Sequence, residues 1–184
     1  MITGIGHTAI VTQVVFSIGS NLGDREAHLR AAVAGLAEAG SVEAVSGVYE
    51  TPPWGDPGQP SYYNAVVLVT GEHDVTRWLR IAGRIEQAQG RQRDDGRRFG
   101  PRTLDIDLVA AWTDHGEPIE CDDPGLTLPH PRAHLRAFVL RPWLEIQPYA
   151  RLPRHGWVND LVLSEALAGD VAAMSPVPID LGAG

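Results

Sequence analysis

Two closely spaced aspartates are the residues of this 184-residue sequence best suited to phosphate chemistry. Asp105 and Asp107 are two residues apart, so in a strand their side chains leave the same face, with Cα atoms about 7 Å apart. Such carboxylates repel each other, and a divalent cation between them relieves the repulsion. Oxygen ligands suit Mg²⁺, which prefers carboxylates combined with substrate phosphates. Alternation alone favours an ordinary solvated strand face.

Arginines immediately before the aspartates favour the magnesium interpretation. Five of them lie within twelve residues, at Arg91, Arg93, Arg97, Arg98 and Arg102. Guanidinium groups beside a metal ion neutralise the charge that develops during phosphoryl transfer. The glycines of this loop would allow it to close over a ligand. A merely solvated loop, in which Asp94 and Asp95 pair with some arginines, is the alternative.

Flat and hydrogen-bonding side chains occur in the segments TPPWG and SYYNA. Trp54 and Tyr62 offer ring faces, and Asn64 both donates and accepts hydrogen bonds, as a planar heterocycle with an amide-like edge requires. Aromatic rings that fill a core beneath a turn would give the same composition. In LTLPHPRAHLRAF, His130 is by itself more typical of a structural histidine. GSNLGD lacks both the GxGxxG spacing and a lysine, so it predicts a structural turn rather than a phosphate site.

Composition excludes several classes of function. All 15 basic residues are arginine, so the lysine-dependent P-loop and Schiff-base chemistries are excluded. The net charge of −8 argues against nucleic-acid binding. Cys121 is the single cysteine, which excludes an intramolecular disulfide and a zinc-thiolate cluster. The sequence has no apolar run of about 18 residues and no basic N-terminal signal, so we expect a cytoplasmic protein without a membrane partner.

Hydrophobic periodicity predicts one α+β domain. The predicted elements are a strand at 14–19, a helix from Asp24 to about residue 39, strands at 42–50 and 62–70, a helix from Asp74 to about residue 90, and the strand at 100–109. This βαββαβ order predicts an antiparallel sheet with both helices on one face. Additional C-terminal helices are expected at 132–141 and 157–167. Residues 1–13 and 170–184 are expected to be tails around a single domain at 14–169.

Six stretches, in order, resemble the 6-hydroxymethyl-7,8-dihydropterin pyrophosphokinase family: FSIGSNLGDRE, VYETPPWG, YYNAVVLV, RIEQAQGRQR, FGPRTLDIDL and LTLPHPRAHLRAFVL. They cover roughly residues 14–145. The resemblance implies a ferredoxin-like core and transfer of the ATP pyrophosphoryl group to the pterin hydroxymethyl group, with release of AMP and use of two Mg²⁺ ions. The implied partners are these small molecules alone, and we expect a monomer.

The resemblance also implies a role for individual residues. The implied metal ligands are Asp105 and Asp107, which with Arg91 and Arg102 form the expected catalytic set. The implied pterin-binding residues are Thr51, Pro52, Trp54, Tyr62, Asn64, Phe99 and Phe138. The implied ATP-binding residues are Glu86, Arg91, Arg93, Arg102, Thr127, His130 and Arg136. Gly83 and Gly125 stand where some members have nucleotide-contacting side chains. A Mg²⁺-dependent phosphohydrolase and a ferredoxin-like nucleotide-binding module remain the alternatives.

Overall fold

The computed structural model describes residues 11–53, 58–91 and 102–182. Trp54, Arg93 and Phe99, all predicted site residues, lie outside these ranges. No helix within them is both long and apolar enough to cross a membrane.

An antiparallel sheet forms the centre of the protein. Its strands are β1 (Thr12–Ser20), β2 (Ser41–Val45), β3 (Val48–Thr51), β4 (Tyr62–Gly71), β5 (Asp105–Thr113) and β10 (Ser175–Val177). Strand β1 lies between β4 and β5, whereas β2 and β3 both pair with the other edge of β4. The predicted α+β class with an antiparallel sheet is confirmed, and this strand order is compatible with a ferredoxin-like core.

The single strand predicted at 42–50 is wrong in detail, because the chain breaks between β2 and β3. At the break, the Ser46 hydroxyl accepts a hydrogen bond from Val66 N at 2.9 Å, and Ser46 N donates to Val66 O at 2.9 Å. Gly47 N turns away from the sheet and donates to the Glu145 carboxylate at 3.0 Å. One side-chain oxygen therefore replaces a backbone carbonyl in the ladder, which interrupts the strand.

One face of the sheet is covered by the two predicted helices, α1 (Arg25–Ala37) and α2 (Val75–Ala88). Both begin where the sequence predicts, because the Asp24 carboxylate accepts from Ala27 N at 3.0 Å and that of Asp74 accepts from Arg77 N at 2.6 Å. Trp78 of α2 is fully buried at the centre of this apolar layer. Its indole N–H donates to the Thr12 hydroxyl at 2.9 Å.

The opposite face is covered over part of its length by the C-terminal helices. These are α3 (Ala137–Ile146), α4 (Val158–Val162) and α5 (Ala168–Ala172). The helix predicted at 132–141 instead forms a short 3₁₀ turn at Ala133–Leu135 and then α3, because Arg136 has an extended backbone between them. The helix predicted at 157–167 is likewise divided into α4 and a 3₁₀ turn at Glu165–Leu167.

Smaller elements complete the described chain. They include two hairpins, formed by β6 (Cys121–Asp123) with β7 (Leu126–Leu128) and by β8 (Arg151–Leu152) with β9 (Gly156–Trp157). Within 170–184, for which the sequence indicates no element, β10 pairs with β3 and Leu181 is buried against the core.

Candidate active site

The face that carries the C-terminal helices is divided into an apolar half and a polar half. Residues paired across antiparallel strands lie on the same face. Gly19 pairs with both Asp105 and Asn64, so these three positions form one row across β5, β1 and β4. In the next row, Ser17 pairs with Asp107. Farther along, the same strands bury apolar side chains against α3. The polar half remains open because α3 does not extend over it.

A cavity of about 290 Å³ lies over the polar half. It brings together ten of the predicted site residues, namely Thr51, Pro52, Tyr62, Asn64, Arg102, Asp105, Asp107, His130, Arg136 and Phe138. These positions are spread over 88 residues of sequence, and the sheet register together with the start of α3 places them around one space. Asp105 and Asp107 lie on one face, as their spacing predicts, with Ile106 buried on the other.

The Asp105 carboxylate contacts two of the predicted phosphate-binding arginines. Its Oδ1 lies 2.7 Å from Arg91 Nη1 and 2.6 Å from Arg102 Nη1. Burial, followed by the nearby Asp107 charge, raises the pKa of Asp105, and the two arginines oppose this rise. Burial alone would lower the pKa of Arg102, but the contact with Asp105 and the nearby Asp107 charge together raise it.

Glu86 contacts Arg91 from beneath β5 rather than from the cavity. Its carboxylate pairs with Arg91 and accepts a hydrogen bond from Ile106 N at 2.7 Å. The residue is 5% exposed, and burial raises its pKa to about 7, although Arg91 and the Ile106 N–H favour the ionised form. In this structure Glu86 therefore supports Arg91 and β5 and does not line the site.

The Asp107 carboxylate contacts the segment that leads into α3. Its Oδ2 lies 2.9 Å from Arg136 Nη1 and 3.8 Å from His130 Nε2. The other ring nitrogen, Nδ1, accepts a hydrogen bond from Arg132 N at 3.1 Å. Burial lowers the pKa of His130. Because Nδ1 accepts the bond from Arg132 N, a neutral His130 carries its proton on Nε2, which also lies 3.5 Å from Arg136 Nη1.

Asn64 supplies a side-chain amide to the polar half of this sheet face. Its Nδ2 donates to the Thr51 hydroxyl at 2.7 Å, and the residue is 4% exposed. A Cβ atom on Gly19 would lie 2.7 Å from Asn64 Oδ1, so only glycine leaves this amide its position. Sequence reasoning missed Gly19, although a glycine within a strand pattern signals a close approach. It also missed Ser17 and Arg132, which line the cavity and carry no distinctive local signal.

A second cavity, of about 230 Å³, adjoins the first at the edge strand β5. Its walls include the apolar side chains of Leu79, Ile106 and Leu126, together with the predicted ATP-binding residue Thr127. Asp107 and His130 line both cavities. Gly125 lies along this second space. Among the described residues, a Cβ at Gly125 or at Gly83 would have no atom within 4 Å beyond its immediate chain surroundings.

Comparison with known proteins shows extended similarity to one family. A family model described as 7,8-dihydro-6-hydroxymethylpterin-pyrophosphokinase (HPPK) matches residues 15–148. Relatives named 2-amino-4-hydroxy-6-hydroxymethyldihydropteridine pyrophosphokinase include one from Mycobacterium leprae, 52% identical over 149 residues, which cover 77% of this chain and 75% of the relative. A relative of the same name from Bacillus subtilis is 40% identical over 132 residues, which cover 71% and 75% of the two chains.

Solved structures of low sequence identity show the same fold. A triple mutant of Plasmodium falciparum HPPK-DHPS with pteroate superposes with a TM-score of 0.66 at 13% identity, covering 95% of this chain and 48% of that one. The wild-type protein with SDX-DHP gives a TM-score of 0.59 at 14% identity, covering 82% and 44%. The chain thus spans less than half of these solved chains. Because the family model matches most of this chain and the curated relatives agree, the chain belongs to the 7,8-dihydro-6-hydroxymethylpterin-pyrophosphokinase family.

Proposed function

We propose that this protein transfers the pyrophosphoryl group of ATP to the hydroxymethyl group of 6-hydroxymethyl-7,8-dihydropterin. The products are the pterin diphosphate, used in folate biosynthesis, and AMP. The observation that carries this proposal is the meeting of two cavities at Asp107 and His130, with three arginines in contact with the adjacent carboxylates. A transferase with two substrates requires two binding spaces that share the reacting centre.

The cavity over the sheet is the proposed pterin site. Asn64 and Thr51 supply buried hydrogen-bonding groups, and Tyr62 and Phe138 supply aromatic walls. These groups match the edge and the faces of a planar heterocycle. Pro52 lines the same cavity, and Trp54 and Phe99 are retained as pterin-binding residues on the family resemblance alone.

The second cavity is the proposed nucleotide site. The side chains of Leu79, Ile106 and Leu126 suit contact with a base, and Thr127 is the proposed polar contact within the cavity. The triphosphate would then extend past His130 towards Arg136, Arg102 and Arg91. Arg93 is retained as an ATP-binding residue on the family resemblance, and Glu86 is proposed to act by holding Arg91.

The donor chemistry of Asp105 and Asp107 fits a magnesium site. Both offer only oxygen ligands on one face of the edge strand, and the charge of Asp107 contributes to the raised pKa of Asp105. A divalent cation would relieve that repulsion. We propose that these two aspartates hold two Mg²⁺ ions together with the ATP phosphates. When bound, Mg²⁺ supplies charge neutralisation and a lowered pKa of the attacking hydroxyl.

The remaining chemistry rests on groups of this chain. The arginines that now neutralise the carboxylates are placed to turn towards phosphate oxygens, where they would stabilise charge that develops in the transition state. Neutral His130 offers its Nε2–H as a hydrogen-bond donor rather than as a proton acceptor. Positioning and electrostatics therefore supply most of the proposed catalysis. We further propose that the protein acts on small molecules alone, as a cytoplasmic monomer.

The proposal is tested by incubating the protein with ATP, Mg²⁺ and the reduced hydroxymethylpterin, followed by identification of the nucleotide product. AMP that appears only when the pterin is present supports the proposal. ADP, or nucleotide breakdown without pterin, refutes it and favours a phosphohydrolase, whereas binding without turnover favours a nucleotide-binding module. Asp160→Asn, which removes an exposed α4 carboxylate, is a matched control for Asp107→Asn.

A further inference from the structure

Asn21, in the turn between β1 and α1, is a buried polar residue without a place in the proposed mechanism. It is 2% exposed and lines neither of the two cavities. It belongs to GSNLGD, for which the sequence predicts a structural turn only. Its side chain and backbone nevertheless make hydrogen bonds to two separate segments that border the proposed site.

The first segment contains Arg102. Asn21 Oδ1 accepts a hydrogen bond from Arg102 N at 2.8 Å, and Asn21 N donates to Arg102 O at 3.2 Å. These two bonds hold the backbone of Arg102 from both sides. Its guanidinium contacts Asp105 at 2.6 Å, so the position of this charge depends on the backbone that Asn21 holds.

The second segment precedes the aromatic wall of the pterin cavity. Asn21 Nδ2 donates to Gln59 Oε1 at 3.0 Å and to Pro60 O at 3.3 Å. The same Gln59 oxygen accepts from the Tyr62 hydroxyl at 3.3 Å. Asn21 therefore connects the backbone of a phosphate-binding arginine with the residues that lead to Tyr62.

Asparagine is the side chain of this size that can make both sets of contacts. Its amide presents one acceptor and a two-proton donor a short distance apart. Aspartate keeps the acceptor for Arg102 N but has no donor for Pro60 O. Alanine keeps only the backbone bond and loses the side-chain hydrogen bonds to Arg102 N, Gln59 and Pro60 O.

We propose that Asn21 is a positioning residue that sets the Arg102 charge relative to the pterin cavity without touching either substrate. The inference rests on the proposed function, because it assigns Arg102 to the transferred phosphates. If Asn21 acts on turnover through Arg102, its substitution has no further effect on turnover once the Arg102 guanidinium is absent. A residue that only stabilises the fold would lower turnover by the same factor in both backgrounds.

A double-mutant cycle tests this inference through AMP formation at saturating ATP, Mg²⁺ and pterin. We expect Asn21→Ala to lower kcat at least tenfold in the wild-type background and less than twofold in the Arg102→Ala background. Val162→Ala, which removes buried apolar atoms of α4, is the control for lost stability and should leave kcat unchanged in both backgrounds. Equal factors for Asn21→Ala in the two backgrounds, or no loss in the wild type, would overturn the inference.

Asn21→Asp keeps the test open if the alanine variant does not fold. Because it retains the acceptor for Arg102 N, we expect kcat within threefold of wild type. The KM for the pterin should rise at least fivefold, because a contact on the Pro60 side is lost. A kcat more than tenfold below wild type in a folded Asn21→Asp protein contradicts the inference. A wild-type protein that forms no AMP overturns the proposed function and this inference together, whereas an active wild type with equal factors overturns the inference alone.

Discussion

Replacement of Glu86 by glutamine tests how the buried layer beneath β5 supports the site. The pKa of Glu86 rises from 4.5 to about 7 because the carboxyl group is buried. Between these pH values the folded protein holds a proton that the unfolded chain has lost, so the contribution of Glu86 to stability falls as pH rises through this window. At about 1.4 kcal/mol per tenfold change in equilibrium, the ionised group destabilises the fold by about 3 kcal/mol well above pH 7.

Glu86→Gln removes this ionisation while it keeps an oxygen that accepts the Ile106 N–H. Arg91 retains Asp105 as an ion-pair partner at 2.7 Å, so the substitution does not leave the guanidinium without a counter-charge. We therefore expect the free energy of unfolding of the variant, relative to wild type, to increase by about 2.5 kcal/mol between pH 5 and pH 8.

The assay is urea denaturation of both proteins at pH 5 and pH 8. The exposed substitution Glu43→Gln removes one carboxylate from β2 and controls for the change in net charge. A difference between the Glu86→Gln variant and wild type that is the same at both pH values would refute the reasoning, because burial would then not raise the pKa of Glu86.

Three further substitutions have outcomes that follow from the structure. Asp107→Asn should lower turnover at least about a hundredfold, since it removes a charge at the junction of the two cavities. Its melting temperature should stay close to that of wild type. Near-normal activity would contradict the metal-binding role. Gly19→Ala should weaken pterin binding about tenfold, because the added Cβ displaces the Asn64 amide. Calorimetry measures this affinity, and an unchanged value would argue against the proposed pterin cavity. Trp78→Ala should reduce the free energy of unfolding by about 3–5 kcal/mol, because it leaves a cavity at the centre of the apolar layer between the sheet and the helices α1 and α2. Urea titrations measure this change, and a loss below about 1 kcal/mol would contradict that packing.

Features that depend on residues close together in the sequence could be predicted from local sequence patterns. The starts of α1 and α2 follow from the capping carboxylates of Asp24 and Asp74. The shared face of Asp105 and Asp107 follows from strand periodicity alone. In each case the deciding contacts span only a few residues of sequence, which is why the sequence is sufficient.

Features that depend on distant contacts were not predictable in the same way. The break between β2 and β3 involves Glu145, 98 residues from Gly47. The hydrogen bonds of Asn21 join it to Gln59 and Arg102, which are 38 and 81 residues away. The family resemblance named ten residues that line one cavity, but it did not reveal that Glu86 lies beneath the strand or that Asn21 links two segments. Those properties arise from packing and not from residue type or spacing.

Transfer of label from ATP to the pterin tests the central proposal most directly. With ATP labelled in turn on the β and γ phosphorus, the proposed reaction places both labels on the pterin and leaves AMP unlabelled. The Asp107→Asn variant should lose this transfer, and Asp160→Asn should retain it. Label from the γ phosphorus alone, with ADP as the second product, or release of labelled phosphate without pterin would contradict the account.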